Sequence, residues 1–242
     1  MPAKITAAPA VSNPQAVEEV WRQLGSVTDP ELDEPLPDLG FIQSVEVDSH
    51  NDVRVTFKLP TYWCAANFAF MMAHDIRARI EELGWVRRAT VELVDHFCGN
   101  EINRGVADRD SFTAAFPGEA TGDLDDLRRL FQAKAFMRRQ AYILRYLMTK
   151  EFTAAELVGF SASELAALDI TDDAGRRMRD HYLAARREIA ARLRSDLAFV
   201  RPNGQPLTAE TLPDYLRELR GISANIEFNV AMCSSLLRAR LR

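Results

Sequence analysis

Cysteine is scarce in this sequence. Cys64, Cys98 and Cys233 are the only three among 242 residues, an odd and sparse set that suits reduced thiols better than a disulfide framework. Long apolar runs are missing too, since the longest, from Cys64 to Ala73, is far short of the roughly 20 residues that span a bilayer. Residues 1–14 hold no apolar stretch behind basic residues of the kind a secretory leader needs. The expectation is therefore a cytoplasmic protein with no membrane partner. Also absent are the G-x-x-x-x-G-K-[ST] loop, G-x-G-x-x-G, G-x-S-x-G and H-E-x-x-H, so nucleotide-driven, dinucleotide-dependent, nucleophile-elbow and zincin chemistries lack their signatures. No histidine stands three residues after a glutamate, which removes the Glu-x-x-His of di-iron carboxylate bundles. No enzymatic turnover is expected.

What is present is the composition of a globular chain, 47% hydrophobic and 27% charged, long enough for two modest domains. The net charge of −5 conceals an asymmetry. Residues 1–120 carry 19 acidic and 10 basic side chains, and residues 121–242 carry 16 and 20, so the character changes near residue 120. An acidic first half argues against a nucleic-acid surface. The arginines of the second half alternate with acids along helical stretches, as on solvated faces.

Asn13 before Pro14 is a helix start, and Val17, Val20, Trp21 and Leu24 recur at helical spacing, predicting a helix over 14–25. An acidic loop with Pro30, Pro35 and Pro37 follows. Strands are predicted over 41–47 and 53–59, joined by a turn at Asp48–Asp52, because Val53, Val55, Phe57 and Leu59 alternate with polar residues. A helix from Cys64, with Phe68, Met72, Ile76, Ile80 and Leu83 on one face, stops at Gly84, and a third strand covers 89–95. Residues from Cys98 to about Thr121 read as irregular. The rest reads as helical: a long helix over 123–150, two short ones opened by the capping boxes Thr153-Ala-Ala-Glu156 and Ser161-Ala-Ser-Glu164, one over 173–199, then 209–220 and 223–240. The fold class is α+β, with a small α-β-β-α-β domain at 14–98, a linker or site-covering loop at 99–121 and an all-helical domain at 122–242.

A β-α-β crossover with parallel strands puts the carboxyl ends of the second and third strands at one edge. Cys64 follows one of these strands, and His96 and Cys98 follow the other. Asp29, Glu31 and Asp38 precede the first strand, which the hairpin brings to the same edge. A thiol at a helix start sees unpaired N–H groups that favour thiolate, the form that attacks or binds metal; the competing reading of Cys64 is a small buried hydrophobe. Cys98 sits in a polar loop with His96, Gly99 and Asn100. Cysteine and histidine together could ligate iron or zinc, though without paired C-x-x-C spacing. Cys233, on the Phe228, Met232 and Leu236 stretch, reads as core.

The run Asp29-Pro30-Glu31-Leu32, then Asp38-Leu39-Gly40-Phe41-Ile42, the strand ending Lys58-Leu59-Pro60-Thr61, and Cys64 resemble the PaaD-like and SufT-like metal-sulfur cluster assembly domain, also called the MIP-eighteen type, over about residues 14–97. The resemblance implies an α/β domain used in iron-sulfur protein maturation. It implies that Cys64 is the reactive thiol and that Asp29 and Glu31 belong to the signature loop. The family's usual proline after this cysteine is Ala65 here. Metal ligands would be Cys64, Cys98 and His96, holding iron or an iron-sulfur cluster transiently, with zinc as the alternative. The partner would be a client metalloprotein, and some relatives suggest a binuclear-iron monooxygenase component; a homodimer is compatible. The alternatives are a client-binding chaperone without metal chemistry and a thiol enzyme using Cys64 with His96 as base.

Overall fold

The computed structural model describes residues 13–118, 124–193 and 195–240. They fall into two compact units, one formed by the described residues of Met1–Leu124 and Val230–Arg242, the other by Asp125–Asn229.

In the first unit, helix α1 (Pro14–Leu24) starts where Asn13 Oδ1 accepts the Gln15 and Ala16 N–H groups, and it buries Ala16, Val20 and Leu24 at a spacing of four. The proline-bearing loop is pinned by its own apolar residues: Leu32, Leu36 and Leu39 are buried, and Thr28 bridges to Pro35. Strands β1 (Ile42–Val47) and β2 (Asp52–Lys58) form the expected hairpin, its turn held by Asp48 Oδ1 accepting the His50 and Asp52 N–H groups. Helix α2 (Ala66–Glu81) then crosses over to β3 (Arg88–Val94), which pairs with β2 in parallel. The order β1-β2-β3 leaves no strand between β2 and β3. Val53, Val55 and Phe57 share one buried core with Ala69, Met72, Ala73, Ile76 and Ile80 of α2.

The segment expected to be irregular contains two helices, α3 (Gly99–Asp108) and α4 (Phe112–Ala115). Gly99 and Gly105 lower helix propensity and hide the pattern, but Ile102 and Val106, one turn apart, are buried in the same core as Ala115 and Phe116. Gly105 is there for closeness: a Cβ would stand 2.7 Å from the Ala115 Cβ and 3.2 Å from the Phe70 ring.

The second unit is helical. Helix α5 (Asp125–Thr149) is followed by α6 (Ala154–Gly159) and α7 (Ala162–Ala167), each opened by its capping box as expected. Helix α8 (Asp173–Glu188) ends earlier than the predicted 199, followed by the short α9 (Ala190–Leu193). Residues 195–200 fold back instead, because Tyr182 donates to the Ala198 carbonyl (2.5 Å) and Arg186 to that of Leu197 (2.8 Å). The buried Gln140 holds this core with three bonds, donating to the Tyr182 hydroxyl (2.9 Å) and the Val200 carbonyl (3.0 Å) and accepting from Tyr215 (2.6 Å).

Where the sequence predicts two closing helices, α10 (Leu212–Arg240) is continuous. Gly221 passes through it at a cost of roughly 1 kcal/mol relative to alanine. Its last turns, from Val230, belong to the first unit, so the helical segment 122–242 does not form one body. No helix among the described residues is long and apolar enough to cross a membrane.

Candidate functional site

The carboxyl ends of β2 and β3 open onto one edge of the sheet. After β2 the chain turns through Thr61, Tyr62 and Trp63 to Cys64, which stands one residue before the N-cap of α2, Ala65, and not inside the helix's first turn as expected. Cys64 Sγ lies 3.2 Å from Thr61 Oγ1. That oxygen accepts the Trp63 N–H (3.2 Å), so its own proton can be donated to a thiolate at Cys64. Ala65 holds φ −60° and ψ 129°, a backbone that proline would also adopt. The φ and ψ of Ala65 are therefore themselves compatible with the family's proline.

Beyond β3, Asp95 takes a left-handed conformation (φ 56°) and turns the chain into His96, which is buried. His96 Nε2 lies 2.8 Å from the Cys64 carbonyl oxygen, which can only accept, so this nitrogen carries the proton. Nδ1 accepts the Cys98 N–H (3.2 Å). Burial holds the imidazole pKa below its usual value; the bond to Cys64 opposes this, and the Arg240 charge adds to it. A neutral ring thus joins the main chains of the two cysteines. With both nitrogens engaged, the expected roles of His96 as metal ligand and as base toward the Cys64 sulfur are not what this geometry offers. Cys98 is the N-cap residue of α3, half-buried against the first core, and the Phe97 N–H bonds to the Tyr62 carbonyl (3.1 Å), tying the two segments together.

The acidic loop contributes a buried carboxyl. Asp29 Oδ1 accepts the N–H groups of Glu31 and Leu32 at 2.8 Å each. Burial nevertheless outweighs these bonds and, with the Glu31 charge, lifts the Asp29 pKa to about 6. Asp38, also expected at this edge, is exposed in the turn before Gly40 and makes no hydrogen bond or ion pair through its side chain among the described residues.

Cys233 packs against the first core, as the sequence reading expects, but on a different helix face. The stretch on which it reads as core is exposed: Phe228 is 67% accessible, Met232 46% and Leu236 42%. The inward face is Val230, Cys233 and Leu237, all packed against the first core. At its end, Arg240 Nη1 donates to the Leu59 carbonyl (2.8 Å), and its guanidinium pairs with Asp95 (2.6 Å), which Lys58 also holds (2.9 Å). Those two cations, Lys58 first, keep the Asp95 carboxyl below the usual range. Burial pushes the Cys233 thiol up to about 11, and the charges of Asp29, Cys64 and Glu31 add to the rise. The 3-4-3 spacing of Val230, Cys233, Leu237 and Arg240 was the available signal.

Beside the thiols lies an exposed aromatic group. Trp63 is 74% accessible, with Tyr62 edge-on at 4.9 Å and Phe97 at 5.4 Å between ring centres. Solvent-facing aromatics next to a reactive group are more often contact surface than core. Among the described residues, no three His, Cys, Asp or Glu side chains converge closely enough to enclose a metal ion.

The carboxyl edge of this α-β-β-α-β domain thus carries a half-buried thiol, and the loop before β1 carries the buried Asp29. Residues 17–93 match the family described as iron-sulfur cluster assembly protein. The Fe-S protein maturation auxiliary factor of Porphyromonas gingivalis (strain ATCC BAA-308 / W83) is 33% identical over 79 residues, covering 33% of this chain and 73% of that relative. No solved structure matches the chain. The chain belongs to the iron-sulfur cluster assembly family, and its general role is in the assembly or maturation of iron-sulfur proteins.

Proposed function

We propose that this chain is a cytoplasmic maturation factor that takes up iron or an iron-sulfur cluster on Cys64 and passes it to a client metalloprotein without catalytic turnover. The observation that supports this best is the convergence at one sheet edge of the Cys64 thiol, the Thr61 hydroxyl able to donate to it, and the Asp29–Glu31 loop. Incomplete coordination by the protein suits a cargo that must leave. The family resemblance favours a binuclear-iron monooxygenase component as client. Client contact would fall on Tyr62, Trp63 and Phe97, whose exposure also favours a second reading, client binding without metal chemistry. Anaerobic reconstitution with ferrous iron and sulfide, followed by absorption and EPR spectroscopy and by transfer to an apo-ferredoxin acceptor, separates the two. Cys64→Ser should lose both the bound iron and the transfer. Wild-type loading and transfer by that variant would remove the cargo role and leave client binding in front.

A further inference from the structure

The sheet ends at β3, and one margin of that strand has no neighbouring strand among the described residues. In β2 the Lys58 N–H and the Asp52 carbonyl bond toward β1 and its turn, at Phe41 and Asp48. Alternation then turns Val53, Val55 and Phe57 toward β3, and Thr90, Glu92 and Val94 back toward them. Ala89, Val91 and Leu93 therefore direct their N–H and carbonyl groups to the free margin. At Leu93 the side-chain amide of Asn103 stands in for a missing strand, accepting from the Leu93 N–H (2.8 Å) and donating to its carbonyl (3.0 Å). Ala89 and Val91 make no such bond to a side chain or loop among the described residues. Beside them lies a groove of about 540 Å³ between β3 and the end of α3, walled by Val106 and Ala107. Its charged lining is basic. Arg54 pairs with Glu92 (3.2 Å), and Arg77 pairs with Glu81 (2.9 Å) and donates to the Ala107 carbonyl (2.9 Å). Arg88 is exposed and has no hydrogen bond or ion pair among the described residues. Three arginines thus face Glu92 alone, within a stretch, residues 1–120, that carries 19 acidic and 10 basic side chains.

We propose that the free margin of β3 at Ala89 and Val91 is a docking site for an extended, acidic segment of a partner protein, which joins the sheet as an added strand. Backbone bonds to Ala89 and Val91 supply affinity, and the alternating side chains of the guest supply selectivity. On one face of the sheet the guest meets Arg88, which shares that face with Thr90 and Glu92, so carboxylates are favoured there. On the other it meets Val106 and Ala107, which suit small apolar side chains. A second copy of this chain is a poor guest. Antiparallel pairing of two β3 margins brings Arg87 and Arg88 of both copies together, and like charges across strands repel. Asn103 also closes the margin at Leu93. The site lies toward the start of β3, whereas Cys64 and His96 stand at its far end; from Ala89 to Val94 the strand rises on the order of 17 Å. A partner held at the margin leaves the thiol accessible. Taking that partner for the client rests on the function proposed above, but the docking itself does not need Cys64.

Fluorescence anisotropy of a labelled peptide alternating glutamate and valine, titrated with the full chain, tests this. That peptide should bind, and its lysine–valine counterpart should not. Arg88→Glu should weaken binding by roughly tenfold or more, with circular dichroism unchanged because Arg88 is exposed and unpaired among the described residues. Cys64→Ser should bind as the wild type does, so loss of the cargo reading leaves this result untouched. Strand addition is separated from plain charge attraction in two ways. The same peptide with every backbone nitrogen methylated keeps its charge but has no N–H to give, and it should not bind. Hydrogen exchange followed by NMR should show the Ala89 and Val91 amides becoming protected when the unmethylated peptide is bound. Binding of the methylated peptide, unchanged exchange at Ala89 and Val91, or wild-type affinity in Arg88→Glu overturns the proposal. Protection of those two amides that rises with protein concentration, without peptide, assigns the margin to a second copy and overturns it equally.

Discussion

Asp29 carries a carboxyl group that folding tends to neutralise. Its folded pKa, about 6, lies above the ordinary 3.8, so the folded state holds the proton more tightly than the unfolded chain does. The associated stability is fully present below pH 3.8 and is lost as pH rises to about 6; a shift of this size corresponds to about 3 kcal/mol. Asparagine keeps an Oδ1 that can accept both N–H bonds and carries no charge. Asp29→Asn should therefore be more stable than wild type in urea unfolding near neutral pH, by up to about 3 kcal/mol, with the gain gone once the pH is below 3.8. Equal stability under both conditions would show that burial does not strain this carboxylate. A charge kept at such a cost beside a thiol points to function, since groups perturbed by burial gather at working sites. His96 runs the other way: its depressed pKa makes stability fall as pH drops below 6.5, and because the substituted asparagine does not titrate, the variant leaves that slope visible. None of this could be read from Asp29-Pro30-Glu31-Leu32 alone. The motif marks the place, but the depth of burial depends on how Leu32 and Leu36 seat the loop in the core.

At the scale of elements, the start of α2 is where this chain departs from its family and where the departure can be reversed. Ala65 already holds φ −60°, and its N–H makes no hydrogen bond among the described residues. Ala65→Pro should therefore fit, stabilising the protein by about 0.4–1 kcal/mol through a less free unfolded chain. Loss of stability in a thermal melt would mean that the preceding Cys64 cannot adopt the extended backbone that proline requires. The capping boxes of α6 and α7 and the alternation of β2 were legible because each rests on neighbours within four residues. Helix α3 was not. Its two glycines speak against a helix locally, and only the packing of Ile102 and Val106 in one core with Ala115 and Phe116 overrides them.

For the whole molecule, two separate hydrophobic cores, one around Val55, Phe57 and Ile76 and the other around Phe136, Tyr182 and Phe199, make two unfolding transitions the expectation. Truncation after Asn229 should lower the transition of the first unit, because burial of Leu237 contributes about 1.5–3 kcal/mol and the Arg240 bonds at Leu59 and Asp95 are lost as well. The second unit's transition should be little changed. Calorimetry of the truncated chain that shows the first transition unmoved would remove the C-terminal turns from that unit. The sequence alone determined the α-β-β-α-β order and brought Cys64 and the His96–Cys98 segment to one edge, since both follow from local periodicity and chain connectivity, whereas the direct pairing of β2 with β3 was decided by tertiary structure. The fate of Cys233 was decided only by tertiary structure. Helix α10 offers two apolar stripes, Phe228, Met232 and Leu236 on one side and Val230, Cys233 and Leu237 on the other, and periodicity weighs them alike. Which stripe is buried depends on a partner surface over a hundred residues away in sequence, set by Gly40, Leu59 and Asp95, and no local pattern carries that information.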